Sequence, residues 1–133
     1  MNQNNRYGAI DIGSNGMRLL IANVIENNEI TSVQKLTLVR VPIRLGEDVF
    51  ESGRISEEKK ELFIKTIKAY KLLLEIYKVK DYRAVATSAM REAANGIEIA
   101  EDIRKKTNVE YGSYTLFNIV VIIIPIRNSP VLK

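Results

Sequence analysis

Asp11, Gly13, Ser14, Asn15 and Gly16 fall in the run AIDIGSNGMRLLIANV, residues 9–24. An apolar, strand-like segment stops for one carboxylate, two glycines and two small polar side chains, then resumes. Glycines let a backbone turn successive N–H groups into one concavity, the arrangement by which main chain binds anions. Ser14 and Asn15 add side-chain donors. Asp11 is a costly charge at a strand end unless it is paired or holds a metal. Magnesium, bound through one or two carboxylates with waters and a phosphate, would use it. The same residues also suit a tight hairpin in which Asp11 caps the turn. The lysine of G-x-x-x-x-G-K-[ST] and the spacing of G-x-G-x-x-G are both missing, and the following segment reads as a strand. Neither nucleotide-binding fingerprint therefore applies.

A second stretch, AVATSAMREAANG (84–96), places Thr87 and Ser88 where a strand-like run gives way to a helical one. Helix N-termini bind anions through free N–H groups and the dipole. Arg91 follows one turn on and reaches the same point with a bidentate fork. The plainer alternative is a surface arginine paired with Glu92 or another nearby acid.

Composition narrows the chemistry. The chain of 133 residues contains no cysteine and no histidine. Thiol nucleophiles, disulfides, structural zinc, Ser-His-Asp triads and nearly all zinc hydrolase chemistry are thereby excluded. Carboxylates, Lys, Arg, hydroxyls, backbone amides or a hard metal remain. Twenty basic residues are scattered among sixteen acidic ones, for a net charge of +4. No basic stripe with interleaved aromatics appears, so a mixed solvated surface is expected and no specific nucleic-acid partner. The polar start MNQNNR and the break at Asp11 do not form a signal peptide, so a cytoplasmic location is expected. The apolar run LFNIVVIIIPI (116–126) is too short to span a bilayer, which takes about 20 residues.

The elements that must position these residues follow from periodicity. Tyr7–Ile12 reads as a first strand. Met17–Ile25 reads as a second, apolar at nearly every position as in a strand covered on both faces. Asn27–Asn28 is a turn signal, and Ile30–Val41, rich in Thr, Val and Leu, is a third strand. Residues 42–54, PIRLGEDVFESGR, read as a loop with one proline and two glycines. Ser56 is a credible N-cap for a helix from Glu57 to Tyr77, with Glu57 and Glu58 at the positive dipole end. Phe63, Ile67, Tyr70, Leu74 and Tyr77 give that helix one apolar face. Tyr82–Thr87 is a fourth strand and Ser88–Ala94 a short helix closed by Asn95–Gly96. Ile97–Lys106 is a further helix. The expected fold is α/β, with a mixed sheet opening on a three-strand meander and continuing helix–strand–helix.

Three segments, AIDIGSNGMRLLIA (9–22), RLGEDVFESGRISEE (44–58) and RAVATSAMREAANG (83–96), together resemble the N-terminal domain of the exopolyphosphatase / guanosine-pentaphosphate phosphohydrolase family. That family belongs to the actin-like ATPase and sugar-kinase superfamily, whose domain is ribonuclease-H-like. The resemblance implies magnesium-assisted hydrolysis of the terminal phosphoanhydride of inorganic polyphosphate or guanosine pentaphosphate. It implies phosphate contacts at Gly13, Ser14, Asn15, Ser88 and Arg91, and metal or water organisation at Asp11. Arg18 and the Arg44–Gly46–Glu47 loop match family positions and take supporting roles. Gly16 departs from the hydroxyl residue usual in the family. An ATP-using kinase of the superfamily would share the first loop, but RLGE and TSAMREA are not general features of that superfamily.

Residues 1–110 are expected to form this phosphate-loop domain and 111–133 a divergent apolar tail. After Val109 the family pattern continues through ISG-x-x-EA, whose glutamate is the general base, to a second loop D-x-G-G-G-S. Here the chain reads EYGSYTLFNIVVIIIPIRNSPVLK and contains neither. The catalytic residue is therefore not identified in this chain. The expectations are a poor or inactive hydrolase in isolation, or a non-enzymatic phosphate-binding module. A strand is expected to begin near Val109 beside Ala84–Thr87. The aliphatic run after it is expected to enter the sheet or pair with a second copy, as a homo-oligomer or in place of a missing second domain.

Overall fold

β1 (Arg6–Ile12) is the strand on which the rest is organised. In the computed structural model, which describes residues 5–26, 28, 31–109 and the backbone of 112–113, it lies between an antiparallel and a parallel neighbour. β2 (Met17–Glu26) and β3 (Thr31–Val41) complete an antiparallel meander with it. β4 (Asp81–Ala86) runs parallel on its other side and β5 (Gly112–Ser113) parallel to β4, giving the order β3-β2-β1-β4-β5. The mixed sheet and the meander are as expected. β5 carries that sheet past residue 110. The aliphatic run 116–126 and the Asn27–Asn28 turn lie outside the described residues or straddle their limit.

Register sorts the strand residues onto two faces. Ile10 pairs with Leu19 and Ala84, and Ile12 with Met17 and Ala86, on one face. Those residues are fully or almost fully buried with Phe63, Ile67, Tyr70, Ile99 and Ile103 of the helices. α2 (Glu57–Ile76) supplies the predicted apolar face, and its Ser56 cap accepts a hydrogen bond from the Lys59 amide. The Tyr70 hydroxyl lies 2.9 Å from the Met17 carbonyl oxygen and 3.2 Å from that of Val39, fixing α2 across the meander. α4 (Gly96–Thr107) packs beside α2. On the opposite face Asp11 pairs with Arg18, and Arg18 with Arg40. β2 is therefore less evenly buried than its apolar run implied, since Arg18 is exposed and Leu20 half-buried.

Two expectations are corrected. Residues 42–54 are not a loop throughout, because Leu45–Ser52 form a helix, α1. Leu45 is wholly buried, Glu47 and Asp48 occupy the first turn, and Gly53 closes the helix with φ 74° while its amide bonds the Val49 carbonyl. Gly96 does not close the short helix α3 (Ser88–Glu92) but opens α4. A Cβ on Gly96 would strike the Met90 carbonyl oxygen, so the requirement there is close approach between two helices. No helix among the described residues is long and apolar enough to cross a membrane.

Candidate active site

A parallel β1–β4 pair puts two C-terminal strand ends at one edge of the sheet. In α/β sheets ligands bind outside such ends. The Gly13–Gly16 loop leaves β1 there, and α3 leaves β4 there. Thr87 joins them, because its amide donates to the Ile12 carbonyl over 3.1 Å and its hydroxyl turns back to the same oxygen. The hydroxyls of Ser14 and Ser88 then meet at 3.2 Å across the two loops. Asp11, Gly13, Ser14, Asn15, Ser88 and Arg91 all line one cleft of about 320 Å³. Gly16, Arg18 and Thr87 complete its wall.

The loop achieves its shape without left-handed backbone at its glycines. Neither Gly13 nor Gly16 has a positive φ. The space beside them is tight: a Cβ on Gly13 would sit 3.1 Å from the Gly16 carbonyl oxygen, and one on Gly16 would sit 3.1 Å from that of Val41. The Gly13 amide closes the turn onto the Gly16 carbonyl at 3.0 Å. The amides of Ser14, Asn15 and Gly16 donate no hydrogen bond among the described residues, which leaves three donors at the cleft.

The second contributor, α3, is only five residues long, so its dipole is small. Its Ser88 hydroxyl and Arg91 are the stronger anion groups. Arg91 is exposed and makes no ion pair among the described residues, so the surface pair with Glu92 is not formed. Asn95, at the N-cap of α4 just beyond this helix, bonds both ways to the Ile55 backbone, accepting from its amide at 3.0 Å and donating to its carbonyl at 2.8 Å.

Asp11 carries the electrostatic cost of the site. Its Oδ1 is buried with no hydrogen-bond partner. Burial pushes the carboxyl above the ordinary aspartate value of 3.8, and the charge of Arg18 opposes that rise. A cation beside Asp11 would satisfy the orphaned oxygen. Among the described residues no cluster of three acidic groups surrounds it, so such an ion would be held through one carboxylate, with waters completing its shell.

The RLGED segment acts as a brace. The Gly46 amide donates to the Ser14 carbonyl at 2.9 Å, and a Cβ on Gly46 would lie 3.0 Å from that of Ser14. Glu47 is not a free base. Its hydrogen bonds to Arg44 and Lys59 hold its carboxyl below the usual range, and it does not line the cleft. A larger cleft of about 430 Å³ lies between the end of α1 and the start of α2. Asp48, Glu51 and Glu57 make its rim acidic, and Asp48 is already bound to Lys59 and the Ser56 amide. Arg54 is the one basic residue in its lining, against those three acids. Sequence reasoning missed the bracing role of Gly46, the two-way bond of Asn95 and the position of Arg40 beside Gly16. All three depend on tertiary approach.

A meander, a crossover helix, a parallel strand and a loop-lined cleft at the strand ends define a mixed α/β lobe of the actin-like type. The family model of the Ppx/GppA phosphatase family matches residues 22–122, and the chain belongs to that family. It is similar to the bifunctional 3-dehydroquinate synthase/phosphatase of Fusobacterium nucleatum, with 32% identity over 77% of this chain and 16% of that one. Exopolyphosphatase 1 of Mycobacterium bovis is 30% identical over 79% of this chain and 30% of its own length. The crystal structure of the Aquifex aeolicus Ppx/GppA family member superposes with TM-score 0.74 and 33% identity, covering 84% of this chain and 35% of that one. This chain thus spans about a third or less of the relatives it matches.

Proposed function

We propose that this chain supplies the phosphate-gripping lobe of a magnesium-assisted phosphohydrolase that removes the terminal phosphate of inorganic polyphosphate or guanosine pentaphosphate. The observation that carries the proposal is the meeting of the Ser14 and Ser88 hydroxyls in a cleft also lined by Asp11, whose Oδ1 is buried and unpartnered. Buried polar atoms are almost always satisfied, so an orphan at a cleft points to a missing ligand. The amides of Ser14–Gly16, the two hydroxyls and Arg91 would hold the terminal phosphoryl oxygens. Asp11 would hold magnesium, which neutralises charge on the phosphate oxygens. Polyphosphate is favoured as substrate by the likeness to exopolyphosphatases.

Phosphoryl transfer depends mainly on positioning and on charge stabilisation from several sides. The cleft offers one side, and no glutamate is among the residues that line it to orient water. A binding module without turnover is accordingly the second reading for the isolated chain. The test is calorimetric titration of the 133-residue chain with orthophosphate, with and without magnesium, alongside an assay of phosphate released from polyphosphate. We expect magnesium-enhanced binding and turnover well below the typical enzyme rate of about 1 per second or faster. Absence of phosphate binding would refute the site. Enzyme-like turnover would refute the missing base.

A further inference from the structure

Arg18 and Arg40 are direct cross-strand partners on β2 and β3, on the face that also carries Asp11. Like charges placed opposite each other across a sheet are destabilising. Neither arginine forms an ion pair among the described residues, and both are exposed. The carboxylate of Asp11 acts on Arg18, its partner across β1 and β2. Arg40 is not simply held out into solvent. Its Nε lies 3.5 Å from where a Cβ on Gly16 would be, so its head leans over the last residue of the phosphate loop. Arg18 lines the cleft itself. The cleft therefore opens, on the side away from Arg91, onto a cationic step two strands wide.

We propose that Arg18 and Arg40 form a second anion subsite that takes the next phosphate of a linear polyphosphate chain whose terminal phosphate sits in the Ser14–Ser88 cleft. Both guanidinium forks match phosphate oxygens bidentately. An anion between them removes the cross-strand repulsion that the free protein bears. A single orthophosphate in the cleft has no group to offer this step, whereas a chain does. The subsite thus favours chain ligands over orthophosphate and sets the direction in which the chain leaves the cleft, toward the β3 edge of the sheet. This inference rests on the phosphate reading of the cleft.

The experiment compares orthophosphate and tripolyphosphate binding to the 133-residue chain by calorimetry, for wild type, Arg40→Ala and Arg40→Gln. Lys35→Ala serves as a control of equal charge change on the same strand. Wild type is expected to bind tripolyphosphate more tightly than orthophosphate. Either Arg40 variant is expected to weaken tripolyphosphate binding about tenfold and leave orthophosphate binding within about twofold. The control is expected to change neither. Equal loss for both ligands, equal loss in Lys35→Ala, or no loss at all would overturn the subsite while leaving the cleft intact. Failure of wild type to bind either ligand would overturn the cleft and the subsite together. Two substitutions at an exposed edge-strand position, with circular dichroism to verify folding, keep a misfolded variant from being read as loss of binding.

Discussion

Replacing Asp11 by asparagine should make the protein more stable and its site worse. In the wild type, Oδ1 is buried without a partner and burial raises the carboxyl's pKa above 3.8. A folded-state value above the unfolded one means that ionised Asp11 opposes folding at neutral pH. A buried unsatisfied group costs about 1–3 kcal/mol, more when charged. Asp11 is only half-buried and Arg18 offsets part of the cost, so the gain on removing the charge is discounted to about 1 kcal/mol. For a chain of this size that is about 4 °C in Tm. The gain should be full at neutral pH, shrink as pH falls through the raised folded-state value, and vanish below 3.8, where aspartic acid is neutral in both states. Asp48 and Asp102, whose carboxyls are held low by Lys59 and Lys60, lose their contributions in acid in both proteins, so the difference between variants isolates Asp11. Thermal melts followed by circular dichroism across this range provide the measurement. Magnesium should raise the Tm of wild type and leave Asp11→Asn unmoved. A lower Tm for the variant at neutral pH, or a gain independent of pH, would show that the buried Asp11 charge does not oppose folding.

Arg91→Ala should weaken orthophosphate binding about 10- to 100-fold with little change in Tm, since Arg91 is exposed and unpaired among the described residues; calorimetry with parallel melts checks it. Gly46→Ala should displace the Ser14 loop, because its Cβ would lie 3.0 Å from that of Ser14, and weaken binding several-fold for a small stability cost; the same titration reads it. Tyr70→Phe should destabilise the fold by about 1 kcal/mol, leaving the Met17 and Val39 carbonyls without its hydroxyl. Urea unfolding measures that loss. The Tyr70 hydroxyl, pushed up to about 12 by burial, should not titrate in ultraviolet spectra below the ordinary tyrosine value of 10.0.

Local pattern carried most of the architecture. β1, β2, α2 and the Ser56 cap were legible because each is written in period or cap chemistry within its own residues. α1 was not, because an eight-residue helix with one wholly buried residue and glycines near both ends looks like a loop. The six residues first read as phosphate and metal groups do share one cleft, since a strand end followed by small polar residues marks a sheet edge. The reason for the glycines was not legible. Their φ values are not left-handed, and what crowds a side chain is the Val41 carbonyl, the Gly16 carbonyl or Ser14, each brought close by the fold. Arg40 lies 22 positions beyond Arg18 in the chain, and only the β2–β3 register sets them opposite each other.

The Gly13–Gly16 loop and the start of α3 are expected to grip one phosphate together. Amide chemical shifts in a nuclear magnetic resonance titration with orthophosphate test it most directly. Saturable shifts are expected to concentrate at Ser14, Asn15, Gly16 and Ser88, with the Arg91 side-chain signal moving at the same midpoint, and a tighter midpoint when magnesium is added. Shifts confined to the first turn of α2, or movement of one loop without the other, would contradict it.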